Sequence, residues 1–251
     1  MSARMCPATT FRWAPYGTVG VYHDNCYDYA FDLNNPRSTN KDVPGNMSNR
    51  KAWGLDFKSC TGIAERVLAD YKGLAYKVMN FVAPHGGDFH WYKQIFRVVY
   101  KTRAASTNFL GKRRPADTVQ GLAKFFRVPQ NVIRTAYKRA TRPSSANNGR
   151  IATNANRELR SLNGLNEVPD PDGTLKAGRL MVIPVRLWAH KQGFGAGPVI
   201  VDASGKTIAN PRRADRNYGT LNYSRFCSAY CVRCDAGRVA LRRARRARTA
   251  N

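Results

Sequence analysis

Hydrophobic and polar positions change period several times along the chain, and each change predicts an element. Cys26, Tyr29 and Ala30 fall on one helical face, and Asp24 and Asn25 just before them are good N-cap residues, so the pattern predicts a helix opening at Cys26. Residues 34–50 are rich in Asn, Pro and Gly and read as a loop. From Cys60 to Tyr76 the apolar residues Ile63, Ala64, Val67, Leu68 and Tyr71 keep a helical period and predict a second helix. Tyr76 to Val82 reads as a strand. Pro84-His85-Gly86-Gly87 then turns the chain into another strand, in which Phe89 and Trp91 face one way and His90 and Tyr92 the other.

A different unit follows. Val98, Val99 and Tyr100 have β character, and a basic loop leads to Pro115. A helix is predicted to begin at Asp117: Val119, Leu122, Ala123 and Phe126 sit at i, i+3, i+4 and i+7, and Asp117 with Gln120 forms a capping-box-like pair. Val132, Ile133, Ala136 and Tyr137 mark another helix. The polar stretch Arg139 to Asn156 reads as an inserted loop or a helix extension. Leu159, Leu162 and Leu165 then lead to a Pro-Asp-Gly turn and the run Leu175 to Pro184. Beyond it lie Trp188-Ala189-His190-Lys191 and a hairpin-like strand and turn, Val199 to Lys206. The mixture of strands and helices predicts an α+β protein.

Charge changes the picture more than length does. The chain carries 42 Lys+Arg against 16 Asp+Glu, a formal net charge of +26. Such a field favours polyanions or acidic protein partners. With 43% hydrophobic and 11% aromatic residues the sequence has the composition of a folded protein, which argues against a disordered chain. No apolar run approaches the ~20 residues of a membrane span. The first residues lack an apolar signal segment, which predicts synthesis in the cytoplasm and cysteines that are thiols by default. Arg242, Arg243, Arg245, Arg246 and Arg248 form a basic run expected to contact nucleic acid or acidic capsid-type proteins, with a solvated tail as the plainer alternative. No helix-turn-helix or stacking-rich RNA motif points to sequence-specific reading.

The candidate chemistry lies in Cys26 and His90. A helix N-terminus lowers a thiol's pKa, and an imidazole facing it completes a nucleophile–base pair. The plainer reading is a buried thiol and an incidental strand histidine. Cys227, Cys231 and Cys234 invite a zinc site with Cys6, Cys60 or His85 as the fourth ligand, but three thiols do not complete a tetrahedral set; free thiols, or one disulfide in an oxidising setting, are the alternatives, and neither metal nor cofactor is expected. His23 and His85 have no partner in the sequence pattern and read as exposed or capping residues.

Two resemblances organise these features. The Asp117-Thr118 start, a helix ending in Phe-x-Val, an Asn-rich turn and the ending Leu175-x-x-Gly178-x-x-x-x-Ile183-Pro184 resemble a LysM domain. That family implies a βααβ fold that holds N-acetylglucosamine-containing wall polymers, peptidoglycan or chitin, in a shallow groove. Carried over, the groove would use Asp117, Thr118, Val119, Asn163, Gly164, Leu165 and Asn166. Asn25-Cys26-Tyr27-x-Tyr29, Asp88-Phe89-His90-Trp91-Tyr92, Trp188-x-His190-Lys191 and Asp202-x-Ser204-Gly205 resemble a family of the papain-like cysteine hydrolase type. That resemblance implies Cys26 as nucleophile, His90 as base and His190 as the residue orienting it. The Cys26 amide, with Asn25 or Tyr22, would form the oxyanion hole.

The expected architecture is α+β: an N-terminal arm (1–19), a papain-like domain (20–95 and 187–235) interrupted by a LysM-like insertion (96–186), and an Arg-rich tail (236–251). In that arrangement the strand at 89–93 pairs with the strand at 187–191 and brings His190 to His90. The expected function is a cell-wall-directed cysteine peptidase or amidase. The alternative is a non-catalytic minor capsid or cementing protein of a large virus particle, which would also deliver a protein without an export signal.

Overall fold

The computed structural model describes residues 7–12, 25–32, 75–84, 88–102, 115–140, 173–192 and 197–233. The predicted loop at 34–50, most of the predicted helix from Cys60, the second set of groove residues Asn163 to Asn166, and the arginine run from Arg242 lie outside them, as do Tyr22, His23 and His85.

The protein is α+β. Six strands form one mostly antiparallel sheet: β1 (Thr10–Arg12), β2 (Ala75–Ala83), β3 (Asp88–Lys101), β4 (Leu180–Lys191), β5 (Pro198–Val199) and β6 (Arg225–Arg233). Their order is β5-β4-β3-β2-β6, and β1 pairs in parallel with β3. Part of the predicted N-terminal arm is therefore sheet, with Phe11 opposite Val98 and fully buried. Among the described residues the α-helices are α1 (Cys26–Phe31), α2 (Val119–Phe126) and α3 (Gln130–Lys138). None of the described helices is long and apolar enough to cross a membrane.

The chain divides into two compact units. One comprises residues 1–9, 20–94 and 188–251, the other 10–19 and 95–187, and β3 and β4 each pass through both. Two separate β segments were expected on each side of the divide, but each proves to be one long strand. The Val98–Tyr100 segment continues the His90 strand, and the Leu180–Pro184 ending continues into Trp188 and His190.

In the first unit β2 and β3 pair with Phe81 opposite His90 and Val82 opposite Phe89. The alternation of a strand then sorts side chains to two faces. Tyr76, Val78, Val82, Phe89 and Trp91 pack against Cys26, Tyr27, Ala30 and Phe31 of α1. On the other face Phe81, Ala83 and Tyr92 pack with Trp188, Ile208 and Tyr223. A fully buried phenylalanine such as Phe81 contributes about 1.5–3 kcal/mol through the apolar surface it removes from water. Helix α1 has only six residues, so packing and caps hold it. Asn25 Oδ1 accepts from the amides of Tyr27 and Asp28 at 2.8 and 2.9 Å, Asp32 closes the helix in a left-handed conformation, and Tyr76 Oη donates to the Ala30 carbonyl at 2.9 Å.

In the second unit the cap of α2 falls one residue later than expected. Thr118, not Asp117, is the N-cap, and its Oγ1 accepts from the Gly121 amide at 2.9 Å. Asp117 is engaged elsewhere: its carboxylate accepts from Tyr100 Oη, and its carbonyl accepts from the Leu175 amide. Thr118 bridges to Thr174, which ties the start of α2 to the chain entering β4. Tyr137 of α3 accepts from the Lys176 amide at 2.9 Å, anchoring the same segment.

Candidate functional site

The long strands β3 and β4 place two histidines side by side in the first unit. His90 Nε2 lies 2.8 Å from His190 Nδ1, and His190 Nε2 lies 2.9 Å from the Val201 carbonyl. A carbonyl only accepts, so the proton of neutral His190 sits on Nε2. Its Nδ1 is then an acceptor, His90 must donate from Nε2, and the lone pair of neutral His90 is left on Nδ1. The tautomers follow from this one backbone contact. Tyr218 Oη, 3.3 Å from His190 Nε2, shares that N–H with Val201 at longer range.

Aromatic rings wall the pair in. Tyr223 stacks on His90 with centroids 4.8 Å apart, and Tyr92 and His190 each meet His90 edge-on at about 5 Å. Tyr223 is set by its own contacts: its hydroxyl donates to Asp88 Oδ2 at 2.9 Å, and its carbonyl accepts from Arg216 Nε at 2.8 Å. Arg216 also donates to the carbonyls of Pro211 and Ala214 and covers the Phe81 ring. Asp202 builds the neighbouring turn, accepting from Ser204 Oγ and from the amides of Lys206 and Asp215, with Gly205 at φ +82°. Burial is the largest influence on the protons here. It holds His90 well below the ordinary histidine range, with the neighbouring His190 adding to the effect, and it pushes Tyr218 up to about 12.

Cys26 belongs to the other face. It is the first residue of α1 and packs with Phe89 and Trp91, whereas His90 leaves β3 on the face of Phe81 and Tyr92. No hydrogen bond joins it to His90; its thiol donates instead to the Phe89 carbonyl, with sulfur and oxygen 3.9 Å apart. Burial, then the charge of Asp88, pushes this thiol up to about 12. The expected lowering by the helix N-terminus is overridden, because a six-residue helix offers a small dipole and a dry thiol resists ionisation strongly.

The structure thus joins His90 to His190 by a hydrogen bond, whereas the hydrogen bond of Cys26 goes to the Phe89 carbonyl and not to His90. Of the groove residues carried over from the LysM resemblance, Val119 is buried, while Thr118 caps α2 and Asp117 binds Tyr100. Cys227 is disulfide-bonded, the second of the two alternatives to zinc left open by the sequence, and so is not a zinc ligand. Among the described residues no group of three or more His, Cys, Asp and Glu is arranged to hold a metal.

Tyr218, Tyr223 and Arg216 were not anticipated as part of this site. They come from an irregular stretch with a 3-10 turn at Pro211–Arg213 and no strand or helix period to display them. The recurrence of tyrosine and arginine between Arg212 and Tyr223 is the one sequence signal from which they could have been found. Comparison of the chain with protein-family models, with curated proteins and with solved structures finds no match.

Proposed function

We propose that this chain is a non-catalytic interaction protein, with a papain-like frame, an inserted LysM-like module and basic segments that dock acidic neighbours in a large assembly such as a virus capsid. The placement of Cys26 carries this reading. A thiol that is buried, held neutral and bonded to a backbone carbonyl instead of to an imidazole is a packing residue, since no base is placed to take its proton. The net charge of +26 supplies the attraction to acidic protein or to packaged nucleic acid.

A second reading, a cell-wall cysteine peptidase or amidase acting on N-acetylglucosamine-containing polymers, is favoured by one observation. His190 orients His90 so that Nδ1 is free to accept a proton, which is the relation the resemblance implies for a base and its positioning residue.

Release of soluble fragments from purified peptidoglycan and from chitin-containing walls separates the two. The proposed function predicts no release by wild type. Release that is lost in Cys26→Ala would overturn it and establish the hydrolase.

A further inference from the structure

The second unit contains a small cavity that none of the readings above uses. It has a volume of about 180 Å³ and lies between α3 and β4. Val132, Ala136, Val182 and Pro184 form its apolar lining, and Asn131, Thr135 and Arg139 its polar lining. Drug-sized ligands occupy roughly 300 Å³ or more, so this space suits one aliphatic side chain. Thr118 and Val119 do not line it, so it is separate from the groove implied by the LysM resemblance.

The rim is cationic, and among the described residues no carboxylate compensates it. Arg139 is exposed, and its guanidinium has no hydrogen bond or ion pair among the described residues. The described part of this unit holds one carboxylate side chain, Asp117, which is already bound by Tyr100. Lys138 is exposed on the same helical turn. An apolar lining beside a guanidinium that has no partner among the described residues selects a ligand that is aliphatic at its centre and anionic beside it. A phosphate backbone fits the rim but has nothing to place on the apolar lining.

From this we propose that the α3–β4 cavity is a docking site for an acidic peptide segment of a partner protein, with a leucine-like side chain seated on Val132, Ala136, Val182 and Pro184 and a flanking carboxylate on Arg139. The proposal rests on the reading of this chain as one that meets acidic partners, and it holds whether or not Cys26 is inert.

The test is a titration of the full-length, nitrogen-15-labelled protein with the capped peptide Glu-Asp-Leu-Glu-Asp, with its serine-for-leucine analogue of equal charge, and with a short single-stranded DNA. The leucine peptide is expected to shift the amide signals of Val132, Thr135, Arg139 and Val182 and to bind about tenfold or more tightly than the serine analogue, since one buried aliphatic side chain separates them. Thr135→Trp fills the cavity from an exposed position and Arg139→Gln removes the charge. Each should weaken the leucine peptide at least tenfold, while Lys124→Gln, exposed on α2 and away from the cavity, changes it less than twofold. Equal binding of the two peptides, or shifts scattered over the basic surface, would overturn the site. So would no shifts at all, and DNA shifting the same four signals would replace the peptide with nucleic acid. Wall-fragment release is blind to all of these outcomes, so failure here and failure of the proposed function remain distinguishable.

Discussion

At the scale of single residues, burial governs the chemistry of both groups that the sequence marks as reactive. The Cys26 thiol, raised to about 12 by desolvation first and by Asp88 second, is almost entirely protonated at neutral pH. Mass-spectrometric mapping of iodoacetamide labelling at pH 8 should find Cys26 unmodified in the folded protein and labelled once urea unfolds it. Rapid labelling of native Cys26 would show an accessible thiolate and favour the hydrolase. His90 gives a pH dependence whose sign follows from its lowered pKa. Below about 6.5, the ordinary value, the unfolded chain takes up a proton that the folded His90 refuses, so protons favour unfolding. The contribution is complete above that pH. It is lost as pH falls, at up to about 1.4 kcal/mol per pH unit, until folded His90 itself titrates. Urea midpoints at pH 7 and pH 5 should therefore differ more for wild type than for His90→Gln, which keeps a donor toward His190. An equal pH dependence in the two proteins would place the titration elsewhere.

At the scale of elements, the tests concern caps and close approaches. Thr118→Ala removes the acceptor for the Gly121 amide at the start of α2 and should cost about 1 kcal/mol in thermal unfolding. Gly121→Ala is the sharper case. Helix propensity favours alanine by roughly 1 kcal/mol, yet a Cβ at Gly121 would stand 2.8 Å from the Ala116 carbonyl oxygen and 2.9 Å from Thr118 Oγ1. The expected outcome is a lower melting temperature, and a higher one would mean that the turn before α2 gives way freely. These elements also show what the sequence can carry. The period of Val119, Leu122, Ala123 and Phe126 and that of Val132, Ile133, Ala136 and Tyr137 appear as α2 and α3, since each apolar stripe is buried along one face of a short helix. The alternation of Phe89, His90, Trp91 and Tyr92 appears as two faces of β3. The continuity of β3 from Asp88 to Lys101 was hidden, because Lys93, Arg97 and other polar residues interrupt the apolar signal although they are buried. Lys93, for example, sits over the Tyr29 ring at 3.9 Å, a contact no local pattern announces. The pairing of His90 with His190, a hundred residues apart, was legible only through resemblance, and the tyrosines around it not at all.

At the scale of the whole molecule, the dominant property is charge. A net +26 spread over 251 residues must be met by anions, and the form of that attraction can be measured without knowing the partner. Binding to a duplex DNA probe should weaken steeply with salt, because each phosphate neutralised by Lys or Arg releases counterions. If the binding is through the arginine run, it belongs to a segment that can be removed. Deleting residues 236–251 takes away Arg238, Arg242, Arg243, Arg245, Arg246 and Arg248. With a slope of about −0.9 per contacted phosphate, the logarithmic salt dependence should become shallower by up to about five if all six arginines engage. A slope that does not change on deletion would move the polyanion contact to the basic surface of the folded units. There the exposed Arg139 and its neighbours on α3 would be the next positions to neutralise, and their effect on acidic-peptide binding and on DNA binding should then be separable. A partner that needs an aliphatic side chain responds to the cavity beneath Arg139, whereas one that needs only negative charge responds to salt.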